Sequence, residues 1–295
     1  MDLSHSFRTV TQLLLRRGSE PIVTFYPSNK PIATVSCLIK DQRVSGTGVG
    51  NTQYEAFLKA ISELGEAILK TEIGLKCRSG LAGGIVRSNI IVRAQSELIE
   101  RDSFFFHYHR QIPFKFIGTI NLAPEKTLDI YSLQSAITEF QVALVCHKNA
   151  SVQGQPYLGF ASGAHTDWDS AVSKAIDEYI STSTFLETKL KQMEERKNIT
   201  VITGDIMNNH LMATLDPRNL KIFKKLYSEN NVTDSTPKRH MHSTKSSPWK
   251  TVELNSPVRF LRFIHVSNPK LQIIQFGIPE NESTVDSNPL YHPFW

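Results

Sequence analysis

Ser79-Gly80-Leu81-Ala82-Gly83-Gly84, followed downstream by Ser96-Glu97-Leu98-Ile99-Glu100-Arg101-Asp102, is the stretch whose reading decides the fold. A looser copy precedes it: Ser45-Gly46-Thr47-Gly48-Val49-Gly50, then Ser62-Glu63-Leu64-Gly65-Glu66. In both copies a glycine turn leads into a helix that carries paired carboxylates, with the Ser-Glu-Leu-x-Glu run in the same register. Glycine lets backbone N–H groups approach a phosphate closely. Carboxylates at helical spacing can hold a divalent cation, which prefers oxygen ligands and sits readily between carboxylates and phosphates. The duplication points to a nucleotide–metal site.

Glu97, Glu100 and Arg101 stand at i, i+3 and i+4 and project from one helix face. Taken alone they make a surface stripe, with a Glu97–Arg101 pair contributing about 0.2–0.5 kcal/mol. Their flanks tell against that reading, because Ile90, Ile91, Val92, Ala94, Leu98, Phe104, Phe105 and Phe106 are apolar nearly all round, as in a buried helix. Burying two carboxylates and a guanidinium is costly unless something pairs them, and a metal–phosphate complex would do so. Clustered carboxylates without a cation would repel one another and shift their pKa values upward. The glycine turns match neither the Walker pattern nor a full dinucleotide fingerprint, and a purely geometric role suits them equally well.

Working outward, residues 1–20 form an amphipathic N-terminal helix, and Ile22–Tyr26 and Ile32–Ile39 read as strands around a Pro-rich turn. Thr52-x-x-Glu55 is a capping box opening a helix with Ala56, Ala60, Leu64, Ala67 and Ile68 along its core face. A second helix is expected from about Ser88 to His109, ending in His107 and His109, where a partly charged imidazole would complement the dipole. Strands follow at Lys115–Ile120 and Phe140–Cys146. A third Ser-Gly turn, Ser162-Gly163-Ala164-His165, precedes a long helix starting near Trp168 and bearing Glu178. Residues 227–250 read as a flexible polar loop, strand pattern returns at Val258–Val266 and Leu271–Phe276, and 288–295 form a tail.

The 295 residues suffice for one substantial core, and 40% hydrophobic with 21% charged residues is ordinary for a globular chain. No apolar run approaches the roughly 20 residues of a membrane span, and no signal pattern opens the chain. Cys37, Cys77 and Cys146 are scattered, which argues for reduced thiols in a cytoplasm. The net charge of +5 owes part of its excess to Pro237–Lys245. No aromatic-interleaved basic face accompanies that segment, so a solvated loop is favoured over nucleic-acid binding.

These residues resemble a family, the YcaO domain proteins. The 79–84 turn with the 97–102 helix is similar to the family's S-N/S-G-L-A-x-G turn and E-L-I-E-R-D helix. Ser62, Leu64, Gly65 and Glu66 are similar to its earlier S-A-L-G-E-x-x-E-R helix, after a G-K-G turn represented by Gly46-Thr47-Gly48. Gly163-Ala164-His165 with Glu178 resembles the third element, and His292-Pro293-Phe294 resembles the H-P-F-P tail of peptide-modifying members. The resemblance implies a single α/β (α+β) domain over 1–295, with mixed sheets and motif helices surrounding ATP and Mg²⁺. It implies that Glu66, Glu97, Glu100 and Glu178 hold Mg²⁺. Ser62 and Arg101 would contact phosphates, with Gly46, Gly48 and Ser79 in the nucleotide-binding turns. His292, Pro293 and Phe294 would shape the catalytic pocket.

The activity implied is ATP-dependent activation of a peptide backbone amide. A Cys, Ser or Thr side chain attacks the amide carbon, and the oxygen leaves as phosphate to give a thiazoline or oxazoline; other members install thioamides. The implied partners are a precursor peptide and a separate leader-peptide-binding protein resembling ubiquitin-activating enzymes, in a pathway of bacteriocin type. A homodimer is compatible. The chain also departs from the pattern. Thr47 replaces a lysine, and Leu69-Lys70 stands for Glu-Arg. Ile85 and Asn89 replace polar and acidic residues, Ser181 and Ser183 replace Gln and Arg, and Trp295 replaces the last proline. Glu63 at the Glu-x-x-Glu spacing is a candidate to replace the carboxylate lost at Leu69. The alternative reading is therefore a degenerate subunit that no longer turns over ATP and serves as a scaffold or regulator.

Overall fold

The computed structural model describes residues 3–15, 20–26, 30–40, 42–73, 80–123, 126–152, 154–195, 213–227, 239 and 241–271. Ser79, Cys77, the second expected C-terminal strand past Leu271, and the tail with His292, Pro293 and Phe294 lie outside them. The elements run α1 Leu3–Leu14, β1 Ile22–Tyr26, β2 Ile32–Ile39, β3 Gln42–Val49, α2 Gln53–Ile73, β4 Leu81–Gly84, α3 Arg87–Arg110, β5 Lys115–Ala123 and β6 Lys126–Leu133. They continue as β7 Gln141–His147, β8 Ser151–Val152, β9 Gln155–Pro156, β10 Gly159–His165, α4 Trp168–Glu195, α5 Pro217–Leu226, β11 Lys250–Leu254 and β12 Arg262–Ser267. The fold is α+β, and the ladders between strands are antiparallel where mixed sheets were expected. A single parallel bridge is described, between Ile137 and His242.

The chain divides into two compact units, Met1–Leu98 with Ser247–Lys270, and Ile99–Ser246 with Leu271–Trp295. In the first, a meander of order β1-β2-β3 is covered by α2, while β11-β12-β4 make a second sheet. The expected α2 stripe is in place. Ala56, Ala60, Leu64 and Ile68 are buried in one cluster with Val35, Cys37, Val44, Val258 and Phe263. The helix opens as its capping box requires: Thr52 Oγ1 accepts the Glu55 N–H at 3.1 Å, and the Glu55 carboxylate accepts the Asn51 N–H at 2.8 Å.

In the second unit the sheet order is β10-β7-β6-β5, with α4 packed along β10 and β7. Ala171, Ala175 and Tyr179 of α4 meet Leu128, Ala143, Val145 and Ala161 of the sheet. Phe104, Tyr108, Phe114, Phe160 and Phe223 form an aromatic cluster that seats α5. Helix α5 begins where Asp216 accepts the Arg218 N–H and Pro217 fills the first turn.

Two expectations are corrected here. His107 is not a charged cap: it is 1% exposed, its Nε2 accepts the Gln134 N–H at 2.9 Å, and its Nδ1–H donates to the Ile112 carbonyl at 3.0 Å. Burial lowers its pKa to about 4, with the nearby Arg239 cation adding to the effect. The 227–250 segment is anchored in its described part. Arg239 ion-pairs with the fully buried Asp102 and lies 4.6 Å over the Phe106 ring, while Ser243 and Thr244 donate to Glu139. Charges read from sequence as solvated found buried or semi-buried partners here, which is a tertiary effect that local composition does not carry.

Because His107 binds a proton more weakly folded than unfolded, its contribution to stability is complete above about pH 6.5 and is lost as pH falls toward 4. The stability difference between wild type and His107→Gln should shrink by about 3 kcal/mol across that interval in denaturant titrations. A pH-independent difference would show that the imidazole is not held neutral.

Candidate functional site

The three segments read as glycine turns are strands. Gly46 and Gly48 lie in β3, Gly83 and Gly84 in β4, and Gly163 in β10. At Gly46, Gly48 and Gly163 the missing side chain admits a helix backbone. A Cβ on Gly48 would stand 2.6 Å from the Ala60 nitrogen, and one on Gly46 would stand 2.7 Å from the backbone of Glu63. A Cβ on Gly163 would stand 2.7 Å from the Ala175 nitrogen of α4, so the same device recurs in the second unit. Gly80 is different in kind: its φ of +79° is the left-handed region that only glycine enters freely.

The carboxylates of the helices meet these strands through backbone N–H groups. On edge strand β3, the Thr47 N–H donates to Glu63 Oε2 at 3.1 Å. The Gly83 N–H donates to Glu66 Oε1 at 2.9 Å, and the Gly80 N–H to Glu97 Oε2 at 3.0 Å. Arg93 completes the clasp by donating to the Gly83 carbonyl at 2.6 Å. Burial raises the Glu66 pKa. Lys70 and Arg93 work against that rise, Glu97 adds to it, and the Gly83 N–H lowers it. The upward shift expected of clustered carboxylates is present, but desolvation, not Glu97, is its main cause. His265, opposite Leu81 on β12, is half-buried and held toward its neutral form by burial, with Glu97 and Lys70 nearby in opposite senses. Ser62 is 5% exposed and its hydroxyl has no hydrogen-bond partner among the described residues; a Cβ on Gly83 would come within 2.7 Å of it.

In the second unit, Glu100 is buried. It accepts from the Ser162 hydroxyl at 2.9 Å and is ion-paired with Lys174 Nζ at 2.8 Å. Arg101 is half-buried on α3, and Glu178 lies on an exposed part of α4. His165 accepts the Asp167 N–H at the start of α4, a structural contact. Arg93, Lys174 and His265 were not singled out from the sequence. Arg93 precedes Glu97 by four residues and Lys174 precedes Glu178 by four, and that helical pairing was the available signal. His265 offered none, because strand register alone brings it beside Glu97.

The nucleotide and Mg²⁺ implied by the resemblance can be tested against these side chains. An unpartnered buried hydroxyl at Ser62, with Lys70 and Arg93 near Glu66, suits an anionic oxygen. A divalent cation does not fit. Among the described residues no three His, Cys, Asp or Glu side chains gather to hold a metal. An ammonium is paired with Glu100, and Lys70 and Arg93 act on Glu66. Leu69, at the position of the family's second carboxylate, is buried in the core.

No protein-family model and no curated protein sequence matches the chain. Solved structures do. The YcaO protein from Methanopyrus kandleri bound with AMPPCP and Mg²⁺ aligns at a TM-score of 0.58 and 13% identity, over 89% of this chain and 88% of that one. A heterocyclase in complex with substrate and cofactor aligns at 0.57 and 12%, over 93% of this chain and 53% of that one. A chain of the E. coli microcin synthetase McbBCD complex aligns at 0.53 and 9%, over 85% and 88%. The fold is thus that of the YcaO proteins and YcaO-type heterocyclases, and the chain carries a YcaO-like domain.

If the glycines serve helix–strand contact, Gly46→Ala should destabilise by about 1–3 kcal/mol in chemical denaturation through overpacking. Gly118→Ala should be near neutral, because no atom lies within 4 Å of its added Cβ. Equal effects at both positions would refute the packing role.

Proposed function

We propose that this chain works in the modification of ribosomal peptide backbones in the cytoplasm, as a YcaO-type subunit beside a leader-binding partner protein, and that it does not itself turn over ATP. The observation that carries the second half is the Glu100–Lys174 ion pair. A fixed ammonium satisfies a carboxylate that the resemblance assigns to Mg²⁺, and Ser162 takes up its other oxygen. The fold likeness supports the first half. A peptide substrate is supported only by what such neighbours act on: a second structure of the microcin synthetase complex has pro-MccB17 bound. The retained shape would then present peptide or partner without activating an amide.

The competing reading is the active enzyme, an ATP/Mg²⁺-dependent cyclodehydratase forming azolines from Cys, Ser or Thr, or a thioamide-forming relative. The Ser62 hydroxyl favours it, as a group that a phosphate oxygen would satisfy.

Thermal unfolding separates the two. A ligand at 100 times its dissociation constant stabilises by roughly 2.7 kcal/mol, so the proposed subunit should show no such gain with ATP and Mg²⁺. It should also release no phosphate when candidate peptide and partner are added. Lys174→Ala should cost about 1–3 kcal/mol by leaving Glu100 unpaired, and millimolar Mg²⁺ should not restore it. A Mg²⁺-dependent shift abolished by Glu66→Ala would overturn the proposal in favour of the cyclodehydratase.

A further inference from the structure

Phe260 combines two features that a folded chain normally avoids. Its backbone is left-handed, with φ at 65°, a region disfavoured for a bulky residue, and its side chain is 84% exposed. Packing of the ring within the chain therefore does not compensate for the strained backbone, and such outliers cluster at active sites, ligand clamps and switch regions. Phe260 does not stand alone. In the antiparallel pairing of β12 with β4 the last pair is Arg262 with Gly84, so Phe260 and Val86 each lie two residues beyond the same end of the ladder. Ile85 and Val86 there are 71% and 53% exposed. Three large apolar side chains are thus offered to solvent at one sheet end of the first unit.

The charge beside them has one dominant sign. Arg87 follows Val86, Arg259 precedes Phe260, and Arg262 closes the ladder, all exposed. Glu253 of β11 engages Arg262 through both carboxylate oxygens at 2.7 Å, so three arginines face one carboxylate and an excess of two positive charges remains. An aromatic anchor with flanking guanidinium groups is the composition in which interface binding energy concentrates. From it we infer that this sheet end is a docking surface for an acidic peptide segment that presents an apolar side chain. Phe260, Ile85 and Val86 form the dry centre, and Arg87 and Arg259 form the rim that reads carboxylates. The occupant is a peptide rather than a lipid surface because the patch is three side chains on two neighbouring chain segments. A membrane-binding element needs a broad apolar helix face. The inference stands independently of ATP turnover, since none of these residues belongs to the nucleotide–metal candidates.

The test is fluorescence anisotropy of the full chain with a labelled acidic peptide carrying a central Leu-Phe pair, with a basic peptide of the same apolar core as control. The acidic probe should bind, more weakly as salt rises, and the control should not. Phe260→Asn suits the left-handed backbone, so it should keep or raise the melting temperature while weakening the probe by about tenfold. Ile85→Ser should weaken it in the same direction. Failure of the acidic probe to bind, or binding unchanged in Phe260→Asn, overturns the inference. So does a melting temperature lowered by several degrees in Phe260→Asn, which would mean the ring packs within the chain. Capture by anionic vesicles without peptide binding would assign the patch to a membrane instead.

Discussion

Helices in this protein lie almost directly on strands, and that closeness depends on strand positions with no side chain. At Gly46 and Gly48 the backbone of α2 occupies the volume a Cβ would fill, and at Gly163 the backbone of α4 does the same. Once a helix is that near, its polar side chains reach the strand's own backbone. Glu63 and Glu66 of α2 and Glu97 of α3 therefore terminate on the N–H groups of Thr47, Gly83 and Gly80. Among the described residues β3 and β4 are edge strands and Gly80 lies just before β4, and a carboxylate acceptor makes each of these bonds charge-assisted. The carboxylate also blunts the edge against pairing with another chain.

That arrangement changes what the paired carboxylates mean. A carboxylate held by a backbone N–H keeps free lone pairs and is not thereby barred from a cation. What tells against Mg²⁺ is the set of charges around it. Lys70 and Arg93 act on Glu66, and Lys174 is bonded to Glu100, so cationic side chains already stand beside both carboxylates. Leu69, at the place of a further family carboxylate, is meanwhile apolar and buried in the core. Ser62 remains the exception, a buried hydroxyl without a partner among the described residues. An unsatisfied buried hydroxyl costs free energy.

Much of the architecture was legible because its signals are local. The α2 stripe, the Thr52–Glu55 box, strands β1 and β2 and the apolar α3 all follow from periodicity and capping. The glycine runs were misread because turn and close-packed strand share one composition, and only the position of the facing helix distinguishes them. Strand β6 and helix α5 went unassigned: the polar–apolar alternation of β6 holds only from Thr127 to Ile130, while the Asp216-Pro217 start of α5 was an available signal. Strand β11 was not legible either, since Lys250–Leu254 is almost wholly exposed and offers only Val252 and Leu254 on its apolar face. At the candidate site the carboxylates were legible and their partners were not. Lys174 with Glu100, and Arg239 with Asp102, are 74 and 137 residues apart in sequence.

The same point bears on what a sequence motif reports. Glu66 holds the Gly83 N–H of β4, Glu97 holds the Gly80 N–H just before it, and Gly83 can accept no Cβ beneath Phe263 and Ser62. Removing either carboxylate would strand a backbone donor at a sheet edge, with or without a nucleotide in place. Residues of this kind are held by folding as well as by catalysis, so the Ser-Gly-Leu-Ala and Glu-Leu-Ile-Glu-Arg signature reports the fold more directly than the reaction. Lys70, Leu69, Ser181 and Ser183 carry no such architectural duty toward a strand N–H. They are among the positions at which this chain departs from the family pattern, as are Thr47, Ile85 and Asn89.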